Sequence, residues 1–213
     1  MKFEKPYPFD LDVEKAVQAV AVILREEPNH CMNYMKLLKV LYLAEREMLT
    51  QSGSMITGDH AVAMERGPVL SGVYNLIKGE HTDAEKWDAF IDKERYHVSL
   101  KQHPGNEKLS KLEIEILRET TAKYQQFDEW DMVAETHKLP EWKQNAPEPK
   151  TTNEPKKPAQ KPIPFMHILQ SIGMNGQASK IVEQAETDAA FDAFFAKNRT
   201  CGEPTRSTSM PLD

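Results

Sequence analysis

The chain has 213 residues, 39% of them apolar, and carries 27 Lys and Arg against 33 Asp and Glu, a formal net charge of −6 at pH 7. That length and apolar content suffice for one buried core, so one domain, or a domain plus an appendage, is expected. The acidic balance argues against nucleic acid as the main ligand, because affinity for phosphate backbones comes from clustered Lys and Arg.

The longest apolar stretch, from Ala16 to Leu24, is interrupted by Gln18 and falls short of the roughly 18 to 20 residues that span a bilayer, so it reads as a buried helix. The start, Met1-Lys2-Phe3-Glu4-Lys5-Pro6, lacks the pattern of a signal peptide, and a cytoplasmic location is expected. Cys31 and Cys201 lie far apart, and no structural disulfide is expected between them.

Val13, Ala16, Val17, Val20 and Leu24 recur at helical spacing, with Asp12 placed to cap the start. A second helix is expected from about Asn33 to Thr50. Winding it at 100° per residue puts Lys36, Lys39, Val40, Leu43, Arg46 and Glu47 on one half, and Tyr34, Leu37, Leu38, Leu41, Tyr42, Ala44 and Met48 on the other. Its apolar half is wide enough to meet several neighbours, which makes it the expected central helix. Between Ile56 and Val69 the turn residues Thr57-Gly58-Asp59 and Gly67-Pro68 bracket Ala61-Val62-Ala63-Met64, as in a loop or short extended segment. Val69, Val73, Leu76 and Ile77 read as a short helix closed by Gly79, and helix returns from about Ala84 to Ile91.

From Arg95 to Lys101 the residues alternate, with Tyr96, Val98 and Leu100 on one face, as in a half-buried strand. Pro104-Gly105-Asn106 supplies a turn, and a return strand is expected over Glu107 to Leu109. Ser110 and Glu113 form a capping box for a helix through Phe127. Asp128 starts another, with Trp130, Val133, Ala134 and His137 on one stripe, and Pro140 stops it before Trp142 anchors the chain. Residues 144–162 repeat Pro and Lys without a large apolar side chain, the composition of a flexible linker. Residues 163–199 read as helices docking back through Ile168, Leu169, Ile181, Val182, Phe191, Phe194 and Phe195, and residues 200–213 as a disordered tail. The expected fold class is mainly α (α+β): a compact helical domain with a small antiparallel β-hairpin.

The chain has no phosphate-binding glycine pattern, zinc-protease helix motif or Gly-x-Ser-x-Gly elbow, and its seven histidines show no recognised ligand spacing. No enzyme activity, cofactor or metal is expected. Two titratable residues do fall among apolar neighbours. Glu45 must be paired, protonated or exposed by a cleft. An internal partner such as Arg66 or a backbone group is one reading, and a functional role is the other. His137 poses the same choice on its own helix, so Glu45, Arg66 and His137 make a candidate buried polar site. Lys36, Lys39 and Arg46 form a basic row that is either a solvated helix face or a landing site for an acidic partner.

The run Met35-Lys36-Leu37-Leu38-Lys39-Val40-Leu41-Tyr42-Leu43-Ala44-Glu45-Arg46, then Ile56-Thr57-Gly58-Asp59 and Ala63-Met64-Glu65-Arg66-Gly67-Pro68-Val69, resembles the Panacea domain of SocA-like antitoxins. Val73-Tyr74 and Thr136-His137-Lys138-Leu139-Pro140-Glu141-Trp142 extend the likeness over most of residues 30 to 142. The resemblance implies an antitoxin domain over residues 1–143, mainly helical with a minor sheet. Such a protein belongs to a type II toxin–antitoxin system and neutralises a toxin encoded beside it by direct protein–protein binding. An alternative within the family is an adaptor that delivers the toxin to a ClpXP-type protease. A third reading, an enzyme using Glu45 and His137, rests on their unexpected positions alone. For partner contact the candidates are Lys36, Lys39, Arg46 and Tyr74, since exposed Tyr and Arg often anchor interfaces.

Overall fold

The computed structural model describes residues 7–148 and 160–199. The expectations for the first six residues, for most of the linker, for Cys201 and for the tail from residue 200 lie outside them.

Helix α1 (Val13–Arg25) starts where the Asp12 side chain accepts a hydrogen bond from the Lys15 amide at 3.0 Å, and it buries an almost unbroken run from Ala16 to Leu24. A short turn leads into strand β1 (Cys31–Asn33) and then α2 (Tyr34–Ser52). Asn33 caps α2 through the Met35 amide, and Gly53, at φ 72°, closes it in the left-handed conformation that glycine adopts without a Cβ penalty.

Helix α2 is central, as its apolar width implies. Strand β3 (Gly67–Leu70) and helices α1, α5 (Lys111–Lys123) and α6 (Glu129–Thr136) all pack against it. The division into one apolar and one solvated half fails, however. Lys36, Lys39 and Val40 are buried along with Leu37, Leu38 and Leu41, because neighbours cover both sides of the helix.

The segment expected as a loop or short extended piece is a hairpin. Strand β2 (Ala61–Met64) pairs antiparallel with β3 across the two-residue turn Glu65-Arg66. The free edge of β2 takes a third strand, β6 (Gln160–Pro162). Composition placed those three residues in the linker. Strand pairing uses backbone amides and needs no apolar side chain, and the next residue, Ile163, supplies the buried anchor, with its carbonyl accepting from the Tyr7 hydroxyl at 2.8 Å.

Helices α3 (Ser71–Lys78) and α4 (Ala84–Asp88) precede β4 (Ile91–Glu94) and β5 (His97–Leu100). The strand around Val98 is present, but its partner is not the 107–109 segment. It pairs with β4 on its N-terminal side, across an Arg95-Tyr96 turn with Arg95 at φ 52°, and with β1 on its other edge. Residues Asp92 to Glu94 carry no apolar pattern because that edge faces water. The described residues therefore form two three-stranded antiparallel sheets, ordered β1-β5-β4 and β3-β2-β6, where one hairpin was expected.

Capping boxes at Ser110/Glu113 and Asp128/Asp131 start α5 and α6. Helix α7 (Pro140–Asn145) begins at the proline, which suits a first helical position because its missing N–H has no acceptor there. Helix α8 (Phe165–Ser171) buries Phe165, Ile168 and Leu169, and α9 (Ala178–Arg199) buries Ile181 and Ala185. Phe191 and Phe194 were expected in the core but are 63% and 62% exposed, since the described part of α9 has no buried residue past Ala185. The Phe195 side chain lies outside the described set. No helix among the described residues is long and apolar enough to cross a membrane.

Candidate partner-binding site

The row of cations on α2 is not a solvated face. Lys36 Nζ meets Glu27 Oε1 at 3.1 Å and donates to the Gln125 carbonyl at 3.0 Å. Arg46 Nε lies 2.6 Å from Glu141 Oε1, and Nη2 donates to Ser171 Oγ at 3.1 Å. Both are engaged in pairs within the molecule. Buried charge requires a partner of this kind. Lys39 differs. It is 1% exposed and its Nζ donates to the Pro68 carbonyl at 2.7 Å, but among the described residues it forms no ion pair. Burial lowers its pKa to about 7.

The candidate polar site also separates into parts. Both oxygens of the Glu45 carboxylate are held by the loop after α2: Ile56 N donates to Oε2 at 2.6 Å, while Thr57 N, at 2.7 Å, and the Thr57 hydroxyl donate to Oε1. Of the two internal partners considered for it, the backbone group is the one found. Burial still pushes Glu45 up to about 7, opposed by those same hydrogen bonds. Asp59 continues the clamp by accepting from Gly72 N and Val73 N at the start of α3, at 2.9 and 2.8 Å. The Ile-Thr-Gly-Asp run thus ties α2 to α3. Arg66 is not buried at all. It sits on the hairpin turn with its guanidinium 5.0 Å from the exposed Trp130 ring.

His137 belongs to a third group. Its ring stacks on Trp142 at 3.8 Å and 7°, and Trp142 Nε1 donates to the Met64 carbonyl at 3.0 Å. Burial, and then the charge of Lys39, lower the His137 pKa, against a favourable contact with the Glu65 backbone; its buried Nε2 makes no well-aligned hydrogen bond. Glu141, whose role no local spacing announces, is 1% exposed and accepts from the Tyr42 hydroxyl at 3.0 Å besides pairing with Arg46. Tyr42 and Arg46 are four residues apart and share one helix face. The His to Trp segment therefore locks the α6–α7 corner onto α2 and the hairpin.

That packing leaves an open cleft of about 250 Å³ between α2, α3 and the hairpin turn, lined by Tyr34, Lys39, Met64, Glu65, Arg66 and Tyr74 among others. Of the expected contact residues, Lys39 and Tyr74 come together here, and Arg66 joins them. Around the cleft three cations lie against aromatic rings: Lys78 Nζ is 5.3 Å from Tyr74, Lys93 Nζ is 5.7 Å from Tyr34, and Arg66 covers Trp130. Tyr34 stacks on Tyr96, whose ring is 66% exposed. The sequence reading assigned Tyr34, Tyr96 and Trp130 to apolar faces. They come from three separate elements, so no local spacing announces that they meet. Among the described residues no cluster of His, Cys, Asp or Glu is arranged to hold a metal ion.

The architecture defines a mainly α domain with small antiparallel sheets and an aromatic, cation-edged recess. The family model for the antitoxin SocA-like, Panacea domain matches residues 37–143, half of the chain. The chain belongs to this family, which points to an antitoxin role with a toxin as partner, rather than to catalysis. No curated protein and no solved structure matches the chain.

Proposed function

We propose that this protein neutralises a cognate protein toxin by direct binding, as the antitoxin of a type II pair, and that the toxin docks on the cleft between α2 and the β2–β3 hairpin. The observation that carries this reading is the gathering of Tyr34, Tyr74, Tyr96 and Trp130 with Arg66, Lys78 and Lys93 around one open recess. Tyr, Trp and Arg dominate binding hot spots because they offer large rigid contact area and directed charge. The contact surface thus keeps Lys39 and Tyr74 from the sequence reading and releases Lys36 and Arg46.

Co-expression with the product of the neighbouring gene tests it. The chain should restore growth and co-purify with that product, in cells lacking ClpXP-type protease as well as in normal cells. Rescue confined to protease-competent cells would mean an adaptor instead. A harmless neighbour, or toxicity persisting beside well-folded antitoxin, would overturn the proposal.

A further inference from the structure

Three cations project from α2 within eleven residues, and their environments differ in one respect. Lys36 has Glu27 and Arg46 has Glu141, each within 4.0 Å, whereas among the described residues Lys39 has only a neutral carbonyl. An ammonium carries three donors and no acceptor. Sealing one away from water beside a single carbonyl leaves most of its capacity unused, and a charge in that position is costly until an anion reaches it. Lys39 is also the one of the three that lines the cleft.

Among the described residues the surroundings supply no such anion. Glu65 lines the same cleft but is exposed and forms no ion pair with Lys39. His137, near enough to feel the lysine's charge, has a buried Nε2 without an aligned partner. Tyr34 and Tyr74 present rings and hydroxyls, and Arg66, Lys78 and Lys93 add positive charge at the margin. The site is short of one carboxylate, and its lysine, only 1% exposed, helps to line a recess about the volume of a few side chains.

We propose that the toxin inserts one acidic side chain, Asp or Glu, into this cleft, where its carboxylate becomes the missing counter-ion of Lys39 while Tyr34 and Tyr74 flank its stem. The inference rests on the neutralisation reading and specifies its central contact. A polypeptide carboxylate fits better than nucleic acid. The recess admits a side chain and not a strand, Glu65 and Glu80 interrupt the positive margin, and the chain as a whole is acidic.

The test uses the full chain with the toxin of the neighbouring gene. Lys39→Met should keep the fold, since it replaces a buried charge by an apolar stem of similar length, yet weaken toxin binding on the order of thirtyfold or more, the usual result of removing one partner from a buried charge pair. Arg66→Ala, on an exposed turn, is the control for folding and should weaken binding less. An Asp→Asn and Glu→Gln scan of the toxin should reveal one position with the same loss as Lys39→Met, and combining the two should add little. In the complex, the labelled Lys39 Cε resonance should titrate at higher pH than in the free protein.

The outcomes separate cleanly. If wild type fails to bind or neutralise that product, the antitoxin reading itself falls. If wild type neutralises while folded Lys39→Met binds equally well, or no toxin carboxylate couples to it, only the inserted-carboxylate contact falls. Retention of a single-stranded oligonucleotide at physiological salt, lost on Lys39→Met, would reassign the cleft to nucleic acid.

Discussion

Lys39 Nζ donates to the Pro68 carbonyl at 2.7 Å, and the same nitrogen lies 3.0 Å from the position a Cβ on Gly67 would occupy. The Thr136 hydroxyl approaches that position from the other side, at 2.7 Å, and Gly67 itself has φ 99°. Lysine, hairpin and α6 thus close around a backbone site that only glycine fits.

Gly67→Ala should therefore destabilise the fold by roughly 1–3 kcal/mol from backbone strain, with a further cost from displacing Thr136 and Lys39. Urea denaturation checks the size. Toxin affinity should fall too, because the displaced lysine lines the cleft. An Ala variant as stable as wild type would mean that the hairpin moves freely relative to α6.

Glu45 and Lys39 should give stability opposite dependences on pH. The folded-state pKa of Glu45 is raised from 4.5 to about 7, so its contribution is full below pH 4.5 and is lost as pH rises through 7. That of Lys39 is lowered from 10.5 to about 7, so its contribution is full above pH 10.5 and is lost as pH falls through 7. Each slope is about 1.4 kcal/mol per pH unit within its window. Unfolding free energies measured against pH should show Lys39→Met flattening the alkaline rise and Glu45→Gln the acid-side fall. Glu45→Gln should also lower stability overall, by about 1–3 kcal/mol, because an amide nitrogen would then face a backbone N–H of the Ile56-Thr57 loop.

Arg46 and Glu141 form the pair that fastens α7 to α2. The Glu141 side chain has no exposed surface, so Arg46→Met leaves a buried carboxylate with the Tyr42 hydroxyl as its remaining side-chain donor. Loss of about 3 kcal/mol is expected, and replacing both partners by Met should recover much of it. A double-mutant cycle by thermal or urea unfolding measures the coupling. Toxin binding by the folded fraction should stay unchanged, which separates this pair from the cleft.

What the sequence made legible follows the range of the interactions. Asp12, Ser110 and Asp128 cap their helices as expected, because capping is decided within three residues. The width of the apolar face on α2 announced its central position. Periodicity alone could not show that Lys36 and Arg46 turn inward, since Glu27, the Gln125 carbonyl and Glu141 arrive from distant parts of the chain. β6 was hidden because its composition is that of a spacer and its order comes from pairing with β2, nearly a hundred residues earlier. The cleft was half visible: Lys39, Arg66 and Tyr74 were singled out for separate reasons, while Tyr34, Tyr96 and Trp130 were masked by their apolar patterning.

The exposed rings separate binding from folding most sharply. Tyr96 and Trp130 are 66% and 54% exposed, so truncating either to Ala removes little buried area and should change stability by no more than about 0.5 kcal/mol. If the cleft is the toxin contact, the same truncations should each cost about 2 kcal/mol or more in binding, the range of an aromatic hot spot. Glu119→Ala, on an exposed position of α5 beside a different recess, is the matched control and should alter neither quantity. Calorimetric titration of toxin into each variant, alongside its melting temperature, makes the comparison. Full affinity in both aromatic variants would move the toxin contact to another face of the molecule, whatever the state of Lys39.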